Sequence, residues 1–224
     1  MPETVKLTRS YHSPRRREQA DATRRHILGA AQRLFEQDGY PATSMGAIAK
    51  EADVSAKTVY LAFESKSGLL RALWQVVLSG QDDDYPVVAR TWYREVMDEA
   101  DPERQLRLNA RNSRAVKERA GAMLAVIGRA AAADPDAADL WRHIQSDFHA
   151  NQATIAVSLD EKNALRPGLS AGRAADILWL LNHPDQWQLL VIERGWTAAE
   201  YEEWTAAACA QLLNAQYRHS RLDA

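Results

Sequence analysis

Residues 47–73 read AIAKEADVSAKTVYLAFESKSGLLRAL, and this stretch decides the fold. Ser55 and Ser65 stand where helix N-caps are expected, which predicts one helix over residues 56–62 and a second over residues 65–79. Apolar side chains recur at helical spacing in both segments. The stretch therefore predicts two consecutive helices, each with one buried face.

The preceding stretch, RRHILGAAQRLFEQDGYPATSM over residues 24–45, predicts two further helices. A long helix is expected over residues 20–38, where apolar residues recur along one face. Gly39 stands where a left-handed residue ends a helix, and a proline follows two residues later. Thr43 or Ser44 then caps a second, short helix.

Two short helices joined by a tight turn, with a longer helix on each side, form a helix-turn-helix. The turn contains Asp53, which tolerates positive φ better than most residues, so the turn is expected to form. In the second short helix, Val59 and Phe63 are predicted to face the core. That leaves Lys57 and Tyr60 on the outer surface.

Composition points to an all-α protein with an uneven charge distribution. The chain has 224 residues, of which 46% are hydrophobic and 26% charged, and we find no convincing strand pattern. Residues 1–80 contain 12 Lys or Arg against 8 Asp or Glu, whereas residues 81–224 contain 16 against 22. A basic first third on an acidic remainder indicates a polyanionic partner for the first part only.

Residues 24–78 closely resemble the DNA-binding domain of TetR-family transcriptional regulators, through the two stretches quoted above. The resemblance covers about a quarter of the chain, in order and at the right spacing. It implies that the helix over residues 56–62 enters the major groove of DNA. By position it also implies phosphate contacts from Thr43 or Ser44, Tyr60 and Lys66, and base-edge contacts from Ser55, Ala56, Lys57 and Thr58.

Each of these residues has a simpler interpretation. Tyr60 could be a core aromatic with its hydroxyl at the surface, and Lys57 and Lys66 could be solvated surface charges. A groove lysine can donate to guanine or to a phosphate, and the sequence leaves both open. Ala62 stands where the family often has histidine or an aromatic residue, so one backbone contact is expected to be missing.

The first 19 residues are predicted to be a disordered basic arm. The run Arg15-Arg16-Arg17 is either a solvated tail or a contact to the DNA backbone or minor groove.

One helix-turn-helix makes few phosphate contacts, so a homodimer is expected. Its two copies would bind a near-palindromic double-stranded operator with half-sites about 34–36 Å apart, or a multiple of that distance.

The acidic remainder, residues 81–224, is predicted to be a helical domain for ligand binding and dimerisation. Its last helices look like those that form a four-helix bundle across the dimer axis of many TetR-type regulators. We expect one helix to begin near Pro86, a second to begin after Asp101-Pro102, and a third to end at Ala133. A long helix is expected to begin at Asp134-Pro135, and two final helical regions cover residues 171–193 and 198–216.

Six of the seven tryptophans lie in this domain, and aromatic residues are enriched in interfaces and apolar pockets. For each one, a plain core position is the competing interpretation. The candidate dimer-interface residues are Trp179, Trp187 and Trp204. The candidate walls of a ligand pocket are Trp74, Trp92, Met97, Met123, Trp141 and Phe148.

No pattern supports an enzyme, a cofactor or a metal site. The chain has no Gly-rich phosphate loop and no plausible nucleophile–base constellation. His143, Asp147 and Asn151 recur at four-residue spacing, but an amide is a poor zinc ligand, and a solvated polar face or a polar pocket wall is preferred. Cys209, the one cysteine, is expected to be a buried helical thiol.

No apolar run reaches the ~18 residues that a membrane span needs, and a secretory apolar segment is missing at the N-terminus. A cytoplasmic protein is therefore expected. The domains would be an arm (1–19), a helix-turn-helix (20–64), a connecting helix (65–80) and the ligand-binding remainder (81–224). The predicted function is a regulator, most simply a repressor released by an unidentified small molecule. The alternative is an architectural DNA-binding protein without ligand control.

Overall fold

The computed structural model describes residues 14–79 and 91–217. Most of these residues are helical and no β-strand occurs among them, so the all-α prediction is confirmed. The chain divides into two compact units, with the boundary between Leu69 and Leu70 inside the fourth helix. Within the two described ranges, no helix combines the length and the apolar character that crossing a membrane requires.

The first unit contains the helix-turn-helix that the sequence predicts. Its helices, together with the helix that crosses the boundary, are α1 (Pro14–Gln37), α2 (Met45–Glu51), α3 (Ala56–Phe63) and α4 (Lys66–Ser79). The ends of α3 and α4 differ from the predicted ends by at most one residue. The local signals in this part of the chain were therefore sufficient to place both helices.

The start of α1 differs from the prediction. The helix begins at Pro14 rather than at residue 20, so residues 14–19 of the expected arm are helical. Proline is favoured in a first helical turn, because its φ is preset and its missing N–H would have no intrahelical acceptor there. The remainder of the expected arm, residues 1–13, lies outside the described residues.

Serine hydroxyls and one left-handed residue set the boundaries of the short helices. The Oγ atoms of Ser44, Ser55 and Ser65 each accept the backbone N–H three residues later, at 2.9–3.1 Å. Such caps each contribute about 1 kcal/mol to helix stability. Asp53, between α2 and α3, has a φ of 49°, so the tight turn forms with aspartate as expected.

The α3–α4 connection is a tight turn centred on Glu64. Glu64 has a φ of 61°, and the Ser65 N–H donates to the Phe63 carbonyl oxygen at 2.6 Å, which is the bond of a γ-turn. The same carbonyl oxygen lies close to Gly68 of α4. A Cβ atom at residue 68 would stand 2.4 Å from it, so this approach requires glycine.

Gly68→Ala is expected to lower the free energy of unfolding by about 1–3 kcal/mol, because the new methyl group displaces backbone atoms. In an open helix the same change stabilises by about 0.5–1 kcal/mol. Urea denaturation followed by circular dichroism measures the difference. The matched control is Gly172→Ala, at a helical position where a Cβ meets nothing within 4 Å. Equal destabilisation by both changes would contradict the contact with Phe63.

The second unit is formed by long antiparallel helices and shorter ones at its end. They are α5 (Thr91–Asp98), α6 (Pro102–Ala130), α7 (Pro135–Glu161), α8 (Ala171–Leu181), α9 (Pro184–Trp187), which continues as a π-helical segment (Gln188–Glu193), and α10 (Ala198–Ala210), followed by a 3₁₀ turn (Ala215–Tyr217). The start of α7 agrees with the prediction. The expected start near Pro86 falls in residues 80–90, which are not described.

Two predicted helices between residues 102 and 133 form one 29-residue helix, α6. Gly121 and Gly128 weaken the helical pattern in the sequence, yet each lies against a tryptophan ring. A Cβ at residue 121 would be 3.4 Å from Trp187, and one at residue 128 would be 3.6 Å from Trp141. These glycines therefore permit close packing without ending the helix.

The helix expected over residues 171–193 is interrupted. α8 ends at Leu181, and Pro184 starts α9 after a two-residue break. Proline lacks the N–H that would continue α8, and it disfavours helical φ and ψ in the residue before it. His183 accordingly has an extended conformation and caps α9.

The core of the second unit joins α5 to α8 and α10. Its buried cluster includes Val96, Leu106, Ile155, Leu159, Leu178 and Cys209. Cys209 is 1% exposed, which confirms the buried helical thiol. Burial raises the pKa of this thiol to about 12, so it stays protonated and unreactive near neutral pH.

Candidate nucleic-acid interface and cavity

α3 has one buried face and one face turned to solvent. Val59 and Phe63 are 0% and 5% exposed and hold the helix against its unit. Lys57 is exposed, and Tyr60 and Leu61 are 52% and 77% exposed. Within the described residues, the Lys57 and Tyr60 side chains have no hydrogen-bond partner. Their polar groups are therefore available to an external acceptor.

The hydroxyl candidates differ from one another in how accessible they are. Ser55 and Thr58 share a hydrogen bond of 2.8 Å between their hydroxyl oxygens at the start of α3. Ala56 and Ser44 are exposed. Thr43 is only 3% exposed, and its hydroxyl donates to the carbonyl oxygens of Leu34 and Gly39. Of the two residues implied to hold a phosphate before α2, Ser44 is thus the accessible one, and Thr43 closes the α1–α2 connection.

Lys66 has a structural role that the sequence did not predict. Its Nζ donates to the carbonyl oxygens of Tyr40 and Thr43 at 2.9 and 3.0 Å, and lies 4.2 Å from the centroid of the Tyr40 ring. The ammonium thereby links the first turn of α4 to the α1–α2 connection. An ammonium has three donors, so one N–H remains for an external acceptor.

Lys66→Met is expected to lower the free energy of unfolding by about 1–3 kcal/mol without any DNA present, because two carbonyl oxygens lose a charged donor. Denaturant titration of the free protein measures this loss. Lys57→Met removes an equal charge from an exposed side chain and should change stability by less than about 0.5 kcal/mol. Unchanged stability in both variants would limit Lys66 to contacts outside the protein.

Arg24 also fixes α3, and sequence reasoning did not identify it. Its Nη1 donates to the Ala62 carbonyl oxygen at 2.9 Å, and its guanidinium lies 4.3 Å from the centroid of the Phe63 ring. The two ends of this contact are 38 residues apart, so no local pattern could reveal it. The arginine satisfies a carbonyl at the C-terminal end of α3 and complements the helix dipole there.

The second unit contains a cavity of about 150 Å³ that is partly open to solvent. Three of the six predicted wall residues, Trp74, Trp92 and Phe148, line it. Met97 and Met123 pack in the core instead, and Trp141 lies against Gly128. The other lining residues are Leu78, Tyr93, Asn109, Asn112, Ser113, Val116, Lys117, Leu124, Ile144, Gln145, Asp147, Asn151, Gln152 and Pro184.

Lys117, on α6, is the unexpected member of this wall. It is 4% exposed, and its Nζ donates to Ser113 Oγ at 2.5 Å. Burial lowers the pKa of this ammonium to about 7. The signal in the sequence was a lysine on an otherwise small and apolar helix face, with Ser113 four residues before it and Gly121 four residues after.

The three tryptophans predicted at the dimer interface have different environments. Trp187 is 8% exposed and packs edge-on against Tyr201 at 5.1 Å between ring centroids, so it belongs to the protomer core. Trp179 is half-buried and donates to Gln145 Oε1 at 3.2 Å, and Trp204 lies against Trp196. Between the start of α8 and the end of the π-helical segment, the large apolar side chains that are exposed are Leu180, Leu189 and Ile192.

Residues 27–73 match the family model of the bacterial regulatory proteins of the tetR family. The matched residues run from α1 into α4 and cover the whole helix-turn-helix. Residues 27–73 therefore form a DNA-binding domain of the TetR type. The proteins that this family model describes are bacterial regulatory proteins.

Curated and solved relatives agree with this assignment. The HTH-type transcriptional regulator AcrR of Shigella flexneri is 43% identical over 60 residues, which are 27% of this chain and 28% of AcrR. The chain thus matches little more than a quarter of that relative's length. The same HTH-type description applies to UidR of Escherichia coli K12, which is 40% identical over 55 residues, 25% of this chain and 28% of UidR.

Similarity to solved structures extends beyond residues 27–73 and covers most of the chain. NalD of Pseudomonas aeruginosa, the secondary repressor of the MexAB-OprM multidrug efflux pump, superposes with a TM-score of 0.65 at 20% identity, covering 87% of this chain and 98% of NalD. A regulator structure from Saccharomonospora viridis in complex with choline gives a TM-score of 0.65 at 18% identity, covering 86% and 98%. At such identities the likeness establishes the fold.

Proposed function

We propose that this protein is a homodimeric DNA-binding transcriptional regulator, a repressor that a small molecule releases from its operator. The observation that carries the proposal is the outer face of α3. On this face the Lys57 and Tyr60 side chains have no hydrogen-bond partner among the described residues, and α3 lies within the residues that match the tetR family model. A short helix held from behind by Val59 and Phe63 has the geometry of a major-groove reader.

We assign base-edge contacts to Lys57 and the start of α3, and phosphate contacts to Ser44 and Tyr60. A lysine in the major groove donates to guanine O6 or N7, whereas an exposed tyrosine hydroxyl can donate to a phosphate oxygen. The third N–H of Lys66 is a further phosphate donor. Two copies related by a two-fold axis would read a near-palindromic operator with half-sites about 34–36 Å apart, or a multiple of that distance.

The dimer surface is assigned to α8 and the π-helical segment. Leu180, Leu189 and Ile192 are 52%, 48% and 61% exposed, and exposed large apolar residues concentrated in two neighbouring elements are typical of an interface. Trp179 and Trp204, which are partly exposed, can lie at its edge. Trp187 supports the interface from within the protomer.

The cavity of the second unit is the proposed effector site. NalD is a repressor, and the Saccharomonospora viridis structure holds choline, so each property occurs in a protein of similar fold. Trp74 and Leu78 belong to α4 and line the cavity, and α4 runs without a break from Lys66. A ligand that displaces this helix changes operator affinity through a coupling free energy of typically ~1–3 kcal/mol.

Operator binding by Lys57→Ala tests the DNA assignment. A footprint on the DNA flanking the protein's own gene locates the operator, and fluorescence anisotropy measures affinity. We expect affinity to fall about 5- to 30-fold, the equivalent of one good groove contact. Arg142→Ala removes the same charge from an exposed position of the second unit and should change affinity by less than about twofold. Equal affinities of Lys57→Ala and wild type would reject this placement of α3.

A further inference from the structure

The cavity contains a cation without a counter-ion. Lys117 is 4% exposed and lines the cavity, and within the described residues no carboxylate oxygen lies within 4.0 Å of its Nζ. Its one hydrogen bond is to Ser113 Oγ, which leaves two ammonium donors. Buried charges are normally paired because desolvation of a lone ion is costly. The missing partner is therefore an anion.

The titratable neighbours of Lys117 supply no negative charge near neutral pH. Burial raises the pKa of Cys209 and of Tyr201, both on α10, to about 12, so both remain protonated. Burial lowers the pKa of His183, and this histidine is neutral at pH 7. Asp147 also lines the cavity, but its side chain is 65% exposed and lies 3.3 Å from His143. The protein itself therefore leaves the ammonium unneutralised.

Aromatic rings stand beside the same ammonium. Its Nζ is 5.7 Å from the ring centroids of Phe148 and Tyr201, and Phe148 lines the cavity together with Trp74 and Trp92. An apolar cavity of about 150 Å³ holds a single benzene ring. The volume here, also about 150 Å³, is therefore sufficient for one ring.

We propose that the effector is a small monocyclic aromatic carboxylate, whose carboxylate group pairs with Lys117 while its ring packs among Phe148, Trp74 and Trp92. This inference rests on the proposed function, since it assigns a chemical class to the proposed effector site. A carboxylate restores the charge balance of the ammonium and accepts its remaining donors. A quaternary ammonium such as choline meets a like charge at the same place, so choline should be excluded.

Benzoate, its neutral isostere benzamide, and choline are the probes. Isothermal titration of the full-length protein at pH 7 should show benzoate binding at least 10-fold more tightly than benzamide, with no choline binding. In Lys117→Met, which keeps an unbranched side chain but removes the charge, benzoate should lose this advantage. Removal of an unpaired buried charge does not threaten folding, and the melting temperature of the variant should rise or stay the same.

The pH dependence distinguishes an ion pair from simple packing. Benzoate stays ionised from pH 6 to 9, whereas the pKa of about 7 makes the ammonium deprotonate over this range. An anion favours the protonated lysine, so benzoate affinity should be constant below about pH 7 and fall towards tenfold per unit above it. Benzamide affinity should not change. In Lys117→Met the benzoate affinity should be independent of pH.

Several outcomes would overturn the inference: no benzoate binding at millimolar concentration, equal affinity for benzoate and benzamide, or detectable choline binding. None of these affects operator binding, which a parallel anisotropy titration measures. If benzoate binds as expected but operator affinity does not change, the carboxylate site stands and the proposed release of DNA is refuted. If operator binding itself is absent, the regulatory function fails independently of the cavity.

Discussion

Ile192→Arg is expected to make the protein monomeric and to weaken operator binding at least 100-fold. Ile192 is 61% exposed in the π-helical segment and belongs to the proposed dimer surface. A two-fold interface repeats each substitution, so two guanidinium groups would be buried without partners. Burying a charge without a partner costs several kcal/mol, and a loss of about 2.7 kcal/mol already corresponds to a 100-fold loss of affinity.

Sedimentation velocity at micromolar concentration measures the oligomeric state, and anisotropy measures the operator affinity of the same sample. Ile192→Val keeps an apolar side chain at the same position and should remain dimeric with unchanged operator binding. The assignment of the π-helical segment to the interface fails if Ile192→Arg sediments as a dimer. A monomer that retains full operator affinity would instead refute the need for two copies.

Trp187→Ala is expected to lower the free energy of unfolding by about 3–5 kcal/mol, the usual loss for a large aromatic side chain removed from a core. Trp187 is 8% exposed, lies against Tyr201, and fills the space that Gly121 leaves beside α6. Truncation leaves a cavity that the rigid helices around it cannot close. Guanidinium denaturation at a fixed protomer concentration measures the loss, since the proposed dimerisation would also stabilise the protein.

Trp196→Ala is the matched control for this truncation. Trp196 is only partly buried and contacts Trp204 at 6.2 Å between ring centroids, so its removal should cost less than about 2 kcal/mol. If Trp187→Ala dissociates the dimer but leaves the stability of the protomer unchanged, Trp187 lies at the interface, as its position in the sequence suggested. Destabilisation of the protomer supports its placement in the core.

The helix-turn-helix could be predicted because its signals are local. Ser55 and Ser65 cap α3 and α4 directly, and Asp53 adopts the positive φ that the turn needs. These contacts join residues that are close in the sequence, so sequence patterns can predict them. The start of α1 also has a local signal, because Pro14 is its first residue, but the arginine run that follows favoured a disordered arm.

The details of the candidate sites depend on contacts between distant residues. Lys66 was expected at a phosphate, but its ammonium is held by carbonyl oxygens 23 and 26 residues away. Trp187 looked like an interface residue because a sequence does not show which of its helix faces meets α6. Lys117 is buried beside side chains of α7 and α10, and no spacing pattern could show that it has no carboxylate partner among the described residues.

The contacts of Arg24 and Lys66 have a consequence for how quickly and how tightly DNA can be engaged. Arg24 binds the Ala62 carbonyl oxygen near the C-terminal end of α3, and Lys66, at the start of α4, binds two carbonyl oxygens of the α1–α2 connection. The exposed face of α3 is therefore preorganised before DNA binds, and little conformational entropy is lost on binding. In the proposed dimer, an effector would then act by changing the distance between the two DNA-binding domains.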